Sequence, residues 1–196
     1  MTFLRAEMAD PTKEESPAAQ AEATAQDPAA QQNAQILALL HKLFGEATFT
    51  DVHEPYGLLT VTTKREHIHN IIAGLQQDEE LKFHFLTTMC GIHYPENLNQ
   101  ELGMIYHLHS LVHNLRLRLK IFFPIADPVV PTLTDLYATA NWMEREAYDF
   151  YGVIFPGHPN LMRILNVEDM DYHPMRKEYP LEDGTREDKT DLFFGR

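Results

Sequence analysis

Residues 115–123 read LRLRLKIFF, with Leu115, Leu117, Leu119 and Ile121 alternating against Arg116, Arg118 and Lys120. That period of two marks a β-strand with one face in a core and one face wet. The basic face must meet water or an acidic partner. Upstream, LKFHFLTTMC at 81–90 and LGMIYHLHSLVH at 102–113 read as two further strands. Short connections between consecutive strands predict antiparallel pairing. KREHIHNIIAGLQQDEE at 64–80 places Ile68, Ile71, Ile72 and Leu75 on one helical face, with Gly74 as a weak point near its end. ATFTDVH at 47–53 and GLLTVTT at 57–63, separated by EPY, read as a strand pair joined as a hairpin. Before them, Ile36, Leu37, Leu39, Leu40, Leu43 and Phe44 recur at helical spacing, with Asn33 as the expected N-cap and Gly45 as the stop.

Beyond the decisive strand, Pro124, Pro128 and Pro131 interrupt the pattern, and Thr132 or Thr134 is the expected cap of a helix from about Leu133 to Tyr151, ending at Gly152. The order helix, two strands, helix, three strands, helix predicts an α+β fold over 33–152. It is a two-layer domain with a mixed, mostly antiparallel sheet and flanking helices. Residues 1–32 are rich in Ala, Gln, Glu and Pro and read as a mobile arm that becomes partly helical against a partner. Residues 153–196, with prolines at 156, 159, 174 and 180 and no sustained periodicity, read as an extended tail that binds a partner.

The chain has 196 residues, 44% of them hydrophobic, which suits one domain with a real core and excludes a wholly disordered chain. A single cysteine, Cys90, leaves no intrachain disulfide, cysteine-type zinc site or iron–sulfur cluster to be built from this polypeptide alone. Its position before Gly91, after an apolar run, predicts a buried, inert thiol. Sixteen basic against 29 acidic residues give a net charge of −13, a field that repels nucleic acid and anionic lipid. The N-terminus lacks the apolar run of a secretory signal, and no apolar stretch is long enough to cross a bilayer, so the expectation is a soluble cytoplasmic protein. The phosphate-cradling and hydrolase motifs GxxxxGKS, GxGxxG and GxSxG are absent from the sequence.

The densest charged stretch is ANWMEREAYDFYGVIFPGHPNLMRIL at 140–165. On a helix, Arg145 shares a face with Asp149, Trp142 with Glu146, and Glu144 with Tyr148. Glu146, Asp149 and His158 could in principle form a carboxylate metal site, but the ligands that helix-bundle sites draw from four helices are missing. The plainer reading is that these acids anchor Arg145, Arg163 and nearby backbone at a helix end or an intersubunit interface. His107 and His109 share one face of a strand, a spacing a metal could use, although no cysteine or carboxylate clearly joins them. His67 and His69, two apart on a helix, do not face each other. A nucleophilic pair of Cys90 with His93 lacks an orienting group. In YHPMRKEYPLEDG, Arg176 and Lys177 lie between Pro174 and Pro180, a composition suited to docking against carboxylates.

The run from HSLVHNLRLRLKIFF through EREAYDFYGVIFPGHPNLMRIL, followed by HPMRKEYPL, closely resembles the C subunit of the proton-pumping NADH:quinone oxidoreductase, respiratory complex I, also called its 30-kilodalton subunit family. The resemblance covers roughly residues 35–181. DMDYHPMRK here stands where the family usually has a Trp-x-Gly before the HPLRK-type element. The resemblance implies a non-catalytic scaffold subunit of the peripheral arm, packed against the D and B subunits on the cytoplasmic side of the inner membrane. NADH, FMN, iron–sulfur clusters and quinone would then belong to the assembled complex and not to this chain. It also implies that Glu144, Arg145, Glu146, Asp149, Gly152, His158, Pro159, Arg163, His173, Pro174, Arg176 and Lys177 are interface and fold determinants and not catalysts. The equivalent component of a related membrane-bound hydrogenase or dehydrogenase would carry the same features.

Overall fold

A computed structural model describes residues 28–179. Three helices, α1 (Pro28–Phe44), α2 (Ile68–Gln77) and α3 (Ala140–Tyr151), accompany five strands, β1 (Phe49–His53), β2 (Thr60–Thr63), β3 (Phe85–His93), β4 (Leu102–Ser110) and β5 (Leu115–Phe123). The strands form one mixed sheet in the order β1-β2-β5-β4-β3. β1 and β2 make the expected antiparallel hairpin, β3–β4 and β4–β5 are antiparallel, and β2 runs parallel to β5. α2 therefore links β2 to the far edge strand β3 by crossing the sheet, which an antiparallel turn could not do.

The alternation in β5 sets the core. Leu117, Leu119, Ile121 and Phe123 are buried with Leu102, Met104, Tyr106 and Leu108 of β4, and Ile68, Ile71, Ile72 and Leu75 of α2 join the same cluster. On β3, Leu86 and Met89 are both buried although three apart, because the register shifts between Leu86 and Thr88. The extra residue of a bulge lets both side chains reach one face. Gly74 is a packing position: a Cβ there would lie 2.6 Å from the Phe44 ring, so α1 and α2 meet where glycine leaves room.

Several local expectations change. α1 extends back to Pro28, so residues 28–32 are helical and only 1–27 of the expected arm lie outside the described residues. Asn33 is no cap; it is buried and donates from Nδ2 to the Gly57 carbonyl at 3.0 Å. α3 starts at Ala140, not near Leu133. The intervening loop is held open by tertiary bonds: Gln76 Nε2 donates to the Leu136 carbonyl at 2.9 Å, His69 lies 2.9 Å from Asp135, and Glu144 accepts from Thr132 and Leu133. Thr132 and Thr134 bond each other instead of capping a helix. Cys90 is exposed, not buried, because the bulged register turns it to the side of the sheet opposite Met89 and Gly91.

Candidate functional site

The two charged stretches of the sequence meet at Gly152. This residue follows α3 in the left-handed conformation, φ 76°, and its N–H donates to the Tyr148 carbonyl at 2.9 Å. Glycine is the usual residue at such a helix end. Space imposes a second requirement: a Cβ here would lie 2.6 Å from both Arg176 Nη2 and His173 Nε2. The chain after α3 thus leaves, turns, and returns its HPMRK element onto the end of the same helix. Arg176 Nε donates to the Tyr151 carbonyl at 2.8 Å, and the Met175 N–H donates to the Phe150 carbonyl at 3.2 Å, just past Pro174. The Lys177 N–H donates to His93 Nδ1 at 3.0 Å, tying the tail to the end of β3, and Lys177 Nζ lies over the Tyr94 ring. Burial pushes the His93 imidazole below its ordinary pKa, which keeps that nitrogen free to accept.

Asp149 is the second anchor. Its fully buried carboxylate accepts from Arg163 Nη1 at 2.7 Å, from the N–H groups of Ile164, Leu165 and Asn166 at 2.8–3.1 Å, and from Asn166 Nδ2 at 2.9 Å. Burial alone would raise its pKa, but the Asn166, Leu165 and Arg163 bonds outweigh that and hold it well below the usual carboxylate range. Arg163 also donates to the carbonyls of Asp149, Met170 and Tyr172. His173 Nδ1 lies 3.0 Å from the Asp149 carbonyl. The segment 153–179 has no helix or strand, yet it is pinned to its own domain, with Val153 and Phe155 in the core. Residues 153–179 of the expected extended tail thus fold back on their own domain, and 180–196 lie outside the described residues.

Arg145 does not pair with Asp149 as the four-residue spacing suggests. It donates to the Met162 and Arg163 carbonyls at 3.2 and 3.3 Å and stacks over Trp142, 5.1 Å from the ring centroid. Glu144 is wholly buried and accepts from Thr132 Oγ1 at 2.7 Å and the Leu133 N–H at 2.6 Å. Burial outweighs these two bonds and raises its pKa to about 7. His158 Nε2 lies 3.1 Å from the Asn141 carbonyl while Nδ1 accepts from the Asn160 N–H, fixing the turn that contains exposed Pro159. Glu146 is exposed near Cys90. Glu146, Asp149 and His158 thus serve three different neighbourhoods, and among the described residues no group of three or more His, Cys, Asp or Glu side chains is arranged to hold a metal.

His107 and His109 do share a strand face, and His107 accepts from Arg118 Nε at 3.3 Å. Sequence reasoning missed Asn166 and gave Thr132 and His93 other roles, a helix cap and a possible partner of Cys90; their partners here lie 12 residues (Thr132), 17 (Asn166) and 84 (His93) away. No periodic or motif signal connects such positions. Bulky apolar side chains around α3 and the tail stay uncovered: Trp142 is 61% exposed, Leu165 66% and Val167 63%, with Met162 and Met175 also exposed. An apolar patch rimmed by satisfied polar groups can bind a protein.

A family model described as "Respiratory-chain NADH dehydrogenase, 30 Kd subunit" matches residues 61–185. The chain is 45% identical over 125 residues to the C subunit of the NADH-quinone oxidoreductase of Nocardioides sp., a match covering 64% of this chain and 50% of that one. For the corresponding C subunit of Acidothermus cellulolyticus the identity is 42% over 132 residues, covering 67% of this chain and 68% of that one. The match thus spans about half the length of the first of these relatives. Among solved structures, a trypsin-resistant fragment of Nqo5 superposes with a TM-score of 0.57 at 28% identity, over 66% of this chain and 99% of that one. A chain of the membrane-bound sulfane sulfur reductase, an archaeal respiratory membrane complex, gives a TM-score of 0.65 over 76% of this chain and 86% of that one, and at 18% identity it shows a shared fold alone. With the family model matching well over half of its length, from within β2 through α2, β3–β5, α3 and the returning tail, the chain belongs to the 30 Kd subunit family of the respiratory-chain NADH dehydrogenase.

Proposed function

We propose that this chain is a non-catalytic scaffold subunit of the peripheral arm of respiratory complex I, supporting electron transfer from NADH to quinone coupled to proton translocation. One observation carries the reading beyond family membership. Asp149, Arg163, Arg145 and Arg176 at the α3–tail junction are consumed in holding the chain to itself, while bulky apolar side chains beside them stay exposed. Such a surface is stable in water only at a cost that a partner removes. The D and B subunits are the partners, and NADH, FMN, iron–sulfur clusters and quinone are held by the rest of the assembly. No helix among the described residues is long and apolar enough to cross a membrane, which fits attachment to the cytoplasmic side of the inner membrane through other subunits.

Co-purification on a tagged chain, with identification of the attached proteins, tests this directly. Recovery of the D and B subunits in stoichiometric amount is the expected result. A chain that purifies alone with stoichiometric metal and an activity of its own would overturn it.

A further inference from the structure

The wet face of β5 carries an unneutralised row of cations. Arg116, Arg118 and Lys120 make no ion pair with a carboxylate among the described residues, where the Arg118 side chain donates only to His107. Register places His109 beside Arg116 and His107 beside Arg118 on the same face. Carboxylates do occur at the edges of this face: Asp51 on β1, in register with Thr62 beside Lys120 and 3.0 Å from His53, and Glu146 on α3, whose charge acts on Cys90. Three like charges spaced about 7 Å apart along a strand repel one another. In a protein of net charge −13, such a row calls for an anionic cover.

The face opens into a cleft of about 550 Å3 that Arg116, Arg118, His107 and His109 share with Ala29 and Gln32 from the start of α1. Residues 1–27 therefore join the chain beside this cleft. Its 27 residues hold six acids, Glu7, Asp10, Glu14, Glu15, Glu22 and Asp27, against Arg5 and Lys13. The C-terminal residues 180–196 carry five acids against three bases and follow Tyr179, which lines a different cleft with Tyr94 and Met175. Charge and attachment both favour the N-terminal segment.

We propose that residues 1–27 dock on the basic face formed by Arg116, Arg118 and Lys120, so that the chain covers this side of its own sheet. Reach is ample: 27 residues span up to about 90 Å extended, and about 30 Å as a flexible coil, against about 14 Å from Arg116 to Lys120. Tethering makes the local concentration of these acids high, so weak ion pairs suffice. The proposal does not depend on membership of a respiratory complex.

The only cysteine supplies the probe. Cys90 is exposed and lies in register with Ile105, which in turn lies opposite Lys120, so a nitroxide attached there samples this face. In the full-length, isotope-labelled chain at about 0.01 M ionic strength, amide signals of residues 1–27 should lose intensity when the nitroxide is present. They should recover at about 1 M, where the Debye length falls from about 30 Å to about 3 Å. In the chain without nitroxide, Arg116→Glu with Lys120→Glu should shift the same amide signals, and Glu14→Lys with Glu15→Lys should restore them in part. Arg116 and Lys120 lie outside the core, so folding is preserved when they are replaced. Unchanged signals of 1–27 in both experiments would overturn the proposal. So would perturbation of Arg116 and Lys120 by added polyglutamate with no response from 1–27, since the face would then serve a separate acidic partner.

Discussion

Asp149 and Arg163 form a pair in which neither side chain has much water to fall back on, at 0% and 9% exposure. Removing one partner of a buried pair costs about 3–5 kcal/mol, because it strands the other charge. Arg163→Ala should therefore lower unfolding stability in urea by that amount, whereas Arg145→Ala, which loses two bonds to carbonyls and a stack on an exposed ring, should cost about 1 kcal/mol. Helical spacing ranks these residues the other way, since only the local pair Arg145–Asp149 is visible in it and the Arg163 bond crosses a turn. Asp149 has a depressed folded pKa, so its contribution is present above the unfolded value of about 3.9 and is lost as acid protonates it. Glu144 has the opposite sign. Its folded pKa, about 7, exceeds the unfolded value, so the native state binds more protons between about 4.5 and 7 and stability falls as pH rises through that window. Glu144→Gln keeps an acceptor for the Leu133 N–H and removes the charge. It should flatten that part of the profile and leave the variant more stable than the parent at pH 8 by on the order of 2 kcal/mol, as followed by thermal unfolding across pH.

Elements whose burial alternates along one segment are legible from sequence. β5 reads correctly over Leu115–Phe123 because its own residues state which face is wet, and α2 shows its four buried positions in the same way. The start of α3 is not legible, because Thr132 and Thr134 look like caps while the bonds that keep the 132–139 loop out of the helix come from Glu144, Gln76 and His69. Nor can spacing show that the tail returns to Gly152, although both motifs are evident singly. Gly152→Ala puts a methyl group where Arg176 and His173 lie and forces a left-handed conformation that disfavours alanine, so a loss of about 2 kcal/mol or more is expected. The damage should be local. Amide exchange at Met175 and Lys177 should accelerate, with β4 and β5 amides unchanged; uniform acceleration would show that this junction unfolds only with the whole domain. Mild acid should loosen the Lys177 bond by itself, since protonating His93 at Nδ1 removes the acceptor.

At the scale of the molecule, a single sheet with helices burying one side leaves two surfaces of different chemistry, a basic strand face and an apolar patch beside α3. The second is the proposed partner surface, and it separates folding from assembly because Trp142, Leu165 and Val167 are exposed in the chain itself. Substituting Trp142→Ala together with Leu165→Ser, which adds no charge beside Asp149, should cost the isolated chain under about 1 kcal/mol, chiefly the lost Arg145 stack. The decisive measurement is made on this variant in cells: abundance of the assembled complex on native gels, beside NADH-driven quinone reduction per assembled complex. Less complex with near-normal turnover per complex is the predicted result. Full assembly with abolished turnover would place this surface in the reaction itself and contradict the scaffold assignment.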